Sequence, residues 1–240
     1  MNIMKKFGIF LVAAFVALAA TSCNSTNDSS YATNGAYVRI IGTSPVTYIT
    51  DEGQTLTQAA TQVTMPTIQY GDRMLIYYSK YDAQNSYGGT YITLYGYYLF
   101  EDAETDVVYI GEENTAGESA VEIYSSGSQY YLVHCTKQVF DAALIFYGTS
   151  TKIAAHKFTL VLDEAEPTTA EGYLNLQLCH ATSTEEQSVR TEIVNFYTFD
   201  MSAFDEWIDG TKGVSITSKA LNGSVPSVHK FDWPSLPSLN

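Results

Sequence analysis

The stretch GYLNLQLCHA, residues 172–181, decides how this chain folds. Leu174, Leu176 and Leu178 take every second position, with Asn175 and Gln177 between them. Successive side chains of a strand point to opposite faces, so this period of two makes one buried face and one polar face. A helix would need its leucines three and four apart. Cys179 falls on the face opposite the three leucines.

Working outward, the same texture recurs. KIAAHKFTLVLDE (152–164) alternates at Phe158, Leu160 and Leu162, and AEPTTAEG (165–172) turns the chain into the next strand. TSTEEQS (182–188) is a loop before the strand RTEIVNFYTFDM (190–201). Upstream, AVEIY (120–124), QYYLVHCTKQVF (129–140) and DAALIFYG (141–148) read as three further strands. GDRMLIYYSKYDA (71–83) carries apolar groups on both faces, as a strand covered on both sides does. With TYITLYGYYLF (90–100) it forms a hairpin whose long tip contains NSYGG (85–89). EDAETD (101–106) interrupts this pattern and VVYI (107–110) resumes it. The N-terminal part of the fold, AYVRIIGTSPVTYITDEGQTL (36–56), is β-branched and aromatic, broken by Gly42, Pro45 and a turn at Asp51-Glu52-Gly53. One helical turn fits MSAFDEWI (201–208), GVSIT (213–217) makes a last strand, and the proline-containing tail is irregular. Short strands spaced by turn residues predict an all-β protein.

The N-terminus has a different character. Lys5 and Lys6 precede the apolar run Phe7–Ala20. A helix of that length spans only about 21 Å against a hydrocarbon core of roughly 30 Å, which suits a signal peptide better than a membrane span. Ala20, Thr21 and Ser22 lead directly into Cys23, the pattern of a bacterial lipobox in which the cysteine is lipidated and becomes the first residue. Residues 1–22 are therefore read as a lipoprotein signal peptide and residues 23–34, almost devoid of apolar groups, as a flexible tether. GEENTAGES (111–119), acidic and without an apolar anchor, marks a boundary between a domain at 35–112 and another at 119–240.

The whole chain carries a formal charge of −14, and its first 22 residues hold two lysines and no acid, leaving −16 on the remainder. Such a body repels nucleic-acid phosphate and anionic lipid, so the acyl group must supply the attachment to a membrane.

GDRMLIYYSKYD with its following loop and tyrosine-rich strand resembles the first domain of the NigD-like lipoproteins of Bacteroides-type bacteria. HKFTLVLDE, GYLNLQLCHATSTEE and FYTFDMSAF resemble that family's second domain, in which a strand ending in Leu-x-His precedes an acidic loop and a Phe-Asp closes the pattern. The resemblance covers residues 36–205 and implies a small OB-like β-barrel followed by an antiparallel β-sandwich, the latter ending here in an irregular tail. It implies a lipid-anchored protein of the cell envelope, attached to the outer membrane. The family is associated with bacteriocin production, which suggests an immunity or accessory role. It carries over Cys23 as the lipid attachment site and no catalytic residue.

The residues themselves argue against most chemistry. His134-Cys135 and Cys179-His180 invite a zinc reading, but neighbouring strand residues point to opposite faces and cannot easily share one ion. Outside the cytoplasm Cys135 and Cys179 could pair as a disulfide, but two free thiols are the stronger expectation. No G-x-S-x-G elbow is present, and the acid pairs Glu112-Glu113, Asp163-Glu164 and Glu185-Glu186 read as solvated turns, not a cleft. Asp51-Glu52-Gly53 lacks the alternating oxygen ligands of a calcium loop. No cofactor or metal is expected, and the protein reads as a binder and not an enzyme. A protein partner is the first expectation. A glycan is the alternative, bound on the tyrosine-rich face, where Tyr81, Tyr87, Tyr91 and Tyr95 are the candidate ligand-binding residues. Most other tyrosines there are expected to pack across strands.

Overall fold

In the computed structural model, residues 34–80, 90–126, 129–130, 132–223 and 225–234 are described. Among the described residues there are fifteen strands: β1 Asn34–Thr43, β2 Val46–Thr50, β3 Thr55–Thr61, β4 Arg73–Lys80, β5 Thr90–Val108, β6 Val121–Ile123, β7 Ser125–Ser126, β8 Gln129–Tyr130, β9 His134–Cys135, β10 Val139–Tyr147, β11 His156–Asp163, β12 Leu174–Thr182, β13 Glu192–Asp200, β14 Gly213–Ser218 and β15 Ser227–Asp232. The fold is all-β; among the described residues the one α-helix, α1, is the four-residue turn Asp205–Ile208. Among the described residues no helix is long and apolar enough to cross a membrane.

Strands β1, β2, β3, β5 and β4 join in that order, and β4 returns to β1, so five strands close a ring. Val38, Ile40, Tyr48, Leu56, Met74, Ile76, Ile92 and Leu94 fill it. The turn between β2 and β3 falls at Asp51-Glu52-Gly53, where Gly53 takes a φ of 81° that a side chain would oppose. β4 pairs antiparallel with β5, as the hairpin reading expects. In that ladder Tyr77 faces Gly96 and Tyr78 faces Leu94, so Tyr95 is one residue too many on β5. This bulge resets the alternation: Ile92 and Leu94 face the ring's core before it, Tyr97 and Leu99 after it.

A second core lies between two sheets, one of β6, β9, β10 and β13, the other of β11, β12, β14 and β15. The leucine stripe of β12 and the Phe158, Leu160, Leu162 stripe of β11 are buried in it, as the alternation predicts. Burying each such side chain contributes about 1.5–3 kcal/mol. The described residues from Gly35 onward form one compact unit.

Four features differ from expectation. EDAETD does not interrupt a strand: β5 runs unbroken through it, because Glu101, Asp102, Glu104 and Asp106 point to solvent while Ala103 and Val107 meet the second core. The sheets around the second core are mixed and not purely antiparallel, since β5 pairs parallel with both β11 and β13, and β12 with β14. QYYLVHCTKQVF is not one strand; Leu132 takes a φ of 56°, and the Thr136 hydroxyl accepts from Gln138 and Val139 to make a turn. The tail is not wholly irregular, for SVHKFD forms β15 against β14 between the flanking prolines Pro226 and Pro234. Its alternation of small, polar and apolar residues suits an edge position, which the sequence pattern alone hardly signals.

Candidate functional site

The tyrosine face comes first. Cys23, Tyr81 and Tyr87 lie outside the described residues. Tyr91 and Tyr95 are half-exposed on the face of β5 turned away from Ile92 and Leu94. The Ser79 hydroxyl donates to the Tyr95 hydroxyl at 3.3 Å, which orients that ring. Other tyrosines of the hairpin serve packing. Tyr77 meets Tyr98 edge-on with centroids 6.3 Å apart, Tyr98 packs on Phe196 of β13 at 4.8 Å, and Tyr97 donates to the Thr64 carbonyl.

A charged cluster joins the two cores. β10 is buried on both faces: Phe140, Ala142, Leu144 and Phe146 enter the second core, while Val139, Asp141 and Ala143 face the ring. Arg73, on the side of β4 opposite Met74 and Ile76, meets Asp141 there. Nη2 and Nε donate to Asp141 Oδ2 at 2.7 and 3.1 Å. The other edge of the guanidinium donates to both oxygens of Asp51 in the β2–β3 turn. His134, opposite Asp141 in the β9–β10 register, donates from Nε2 to Asp51 Oδ2 at 2.7 Å and stacks on Tyr37 with centroids 4.1 Å apart. Arg73 is 1 % exposed and Asp141 0 %. Burial alone would raise the Asp51 pKa, but hydrogen bonds from Arg73 and His134 outweigh it and hold the carboxyl well below the usual range. Burial opposes the Arg73 charge, and the two carboxylates more than restore it. Burial, with Asp141 nearby, pushes the Cys135 thiol up to about 12.

A second buried cluster lies at one end of the second core. His156 Nδ1 and His180 Nε2 are 2.9 Å apart, and His180 Nδ1 contacts the Ala120 carbonyl at 3.0 Å. Glu186, expected in a solvated turn, is buried; it accepts from the Thr149 amide and hydroxyl and sits 3.7 Å from His156 Nε2. A hydrolytic relay needs a hydroxyl or thiol bonded to the imidazole. His156 Nε2 makes no hydrogen bond and is closed in by Glu186 and by Gly148, where an added Cβ would stand 2.5 Å from it.

The four residues of the zinc reading are dispersed. His134 belongs to the Asp51 cluster and His180 to the His156 pair, while the two cysteines do not pair with each other. Cys179 is buried on the side of β12 away from the leucines and accepts from Asn114 Nδ2. Among the described residues no group of three or more His, Cys, Asp or Glu is placed to hold a metal ion. A cavity of about 300 Å³ on the outer face of β11 and β12 is lined by Glu112, Asp163, Glu166, Asn114, Asn175 and Gln177.

Sequence reading missed both buried clusters. A signal for the first is present: Asp141 stands inside an otherwise apolar run, VFDAALIFY, and a carboxylate there requires a cation.

No protein-family model matches the chain, and no curated protein does. Solved structures do. A protein of unknown function from Bacteroides vulgatus superposes with a TM-score of 0.61 at 17% identity, covering 87% of this chain and 96% of that one. A candidate lipoprotein from Bacteroides fragilis gives 0.60 at 16% identity, covering 85% and 99%. A NigD-like immunity protein from Bacteroides caccae gives 0.51 at 13% identity, covering 88% and 100%. At these identities the likeness is one of fold, and the fold of this chain is that of these Bacteroides proteins.

Proposed function

We propose that this chain is a lipid-anchored, non-enzymatic protein of the cell envelope, held at the outer membrane through Cys23, which acts by binding a protein partner as an immunity or accessory factor does. The shared fold carries this reading: one structure of that architecture is a NigD-like immunity protein and another a candidate lipoprotein. The lipobox pattern ending at Cys23 agrees with it. So does the use of the buried ionisable groups, which hold strands and loops together instead of converging on a reaction centre.

The test uses the full chain in a Bacteroides host. Expression should protect cells from the antagonistic toxin of a related strain, the chain should incorporate labelled fatty acid, and Cys23→Ser should lose both the label and the protection. Labelled fatty acid on the Cys23→Ser chain would end the lipoprotein reading, and unprotected cells carrying the labelled chain would end the immunity reading.

A second reading rests on Tyr91 and Tyr95, which share one outward face of β5. Aromatic rings so placed suit the apolar faces of sugars. Binding in a glycan array that is lost in Tyr91→Ala and Tyr95→Ala would favour it over a protein partner. The excess negative charge speaks against nucleic acid in either case.

A further inference from the structure

The His156–His180–Glu186 cluster has a donor and acceptor pattern with one gap. The Ala120 carbonyl only accepts, so His180 Nδ1, at 3.0 Å, carries a hydrogen. In the neutral ring Nε2 then accepts, and the hydrogen in the 2.9 Å contact comes from His156 Nδ1. A neutral His156 with its hydrogen on Nδ1 has a bare Nε2. That atom makes no hydrogen bond and faces Glu186 Oε2 at 3.7 Å. Both side chains are buried, 0 % and 1 % exposed, so a lone pair confronts a carboxylate away from solvent. Glu186 does not supply the missing hydrogen: burial would raise its pKa, but the Thr149 amide and hydroxyl, helped by Lys152 at 3.5 Å, keep it ionised.

We infer that this cluster is a proton-operated latch: one proton taken up by the histidine pair completes the chain and ties the 183–189 loop, through Glu186, to β11 and β12. With the proton on His156, Nδ1–H donates to His180 and Nε2–H donates to Glu186 once the 3.7 Å separation closes to hydrogen-bond distance. If it shifts across the 2.9 Å contact to His180, His156 Nδ1 accepts and its Nε2–H still reaches Glu186. Either arrangement leaves every atom matched. A second proton has no place, because two N–H groups would then meet in that gap; the pair titrates as a unit.

The surroundings decide where this happens. Facing His156 are His180 from β12 and Glu186 with Lys152 from the loops. Across a cavity of about 100 Å³ stand Glu101, Asp102 and Glu104 of β5, with Lys157 of β11 and Tyr197 of β13. The rings of Phe146 and Phe158 complete the packing and carry no charge. Burial lowers both histidines, His180 to about 4, while Glu186 opposes the effect at His156. Uptake therefore belongs to acid conditions below the ordinary histidine range.

The experiment is a nitrogen-15 NMR titration of histidine-labelled protein from about pH 7.5 to about pH 3.5, a window spanning the free and buried histidine range. At the neutral end both rings should be Nδ1–H tautomers. On acidification their resonances should move together with one midpoint. In Glu186→Gln the amide can donate to the bare Nε2, matching the neutral form, so the midpoint should fall by about one pH unit or more. A neutral His156 found as the Nε2–H tautomer overturns the proposal without any variant. Separate midpoints for the two rings, or a midpoint unmoved in Glu186→Gln, overturn it as well.

Discussion

Replacing Arg73 by methionine would remove the cation that bridges buried Asp141 and partly exposed Asp51 and keep much of the side chain's volume. Asp141, 0 % exposed, would then stand as an uncompensated charge, and Asp51 would retain only His134. Removing one partner of a buried ion pair costs about 3–5 kcal/mol, because the remaining charge stays desolvated. Domains of this size lose about 2–4 °C of melting temperature per kcal/mol, so the variant should melt some 6–20 °C lower. Thermal unfolding of the purified chain, followed by circular dichroism and calorimetry, measures this. The double variant Arg73→Met, Asp141→Leu should recover most of the loss, since replacing a buried pair with apolar groups is often neutral or better. Because the cluster links the ring core to the second core, the single variant should also unfold in two steps where the wild type unfolds in one. A single variant that melts within about 2 °C of wild type, or a double variant no better than the single, would refute the reasoning.

Three further outcomes are expected. Gly148→Ala should cost about 1–3 kcal/mol in urea unfolding, because its Cβ would stand 2.5 Å from His156 Nε2 in a filled core. Burial holds the coupled His156–His180 pair below the free histidine value of 6.5, so its contribution to stability is whole above pH 6.5 and fades as pH falls through the pair's lowered midpoint; His180→Phe should flatten that acid limb in melting curves across pH. Cys135 and Cys179, whose thiols burial pushes up, should resist iodoacetamide in the native protein and react within minutes in denaturant, read by peptide mass spectrometry.

Strand content was legible because the alternation at Leu174–Leu176–Leu178 and at Phe158–Leu160–Leu162 is a local property of neighbouring residues. The long run of β5 through EDAETD was not, since whether a carboxylate-rich stretch is a loop or the solvent face of a strand depends on which strands lie beside it. Those partners, β11 and β13, come more than 40 residues later. The ionic clusters were hidden for a similar reason. Arg73 reaches Asp51 and Asp141 across separations of 22 and 68 residues. Glu186 sits in a stretch, TSTEEQS, whose composition is that of a solvated loop, and only the approach of Thr149 and His156 buries it. Tyr91 and Tyr95 belong to a crowd of tyrosines in the hairpin, and the bulge at Tyr95, which decides which rings turn outward, leaves no mark in the hydrophobic pattern.

The shared strand β5 has a consequence for how the polypeptide could be divided. Its first residues complete the ring, and its last eight lie beside β13 at 101–103 and β11 at 104–108. A fragment starting at residue 119 would therefore emerge with two raw borders, one on each sheet of its sandwich, open to pairing with copies of itself. A chain that emerges N-terminus first avoids that hazard, because the strand that seals both borders appears before the segments it will shield.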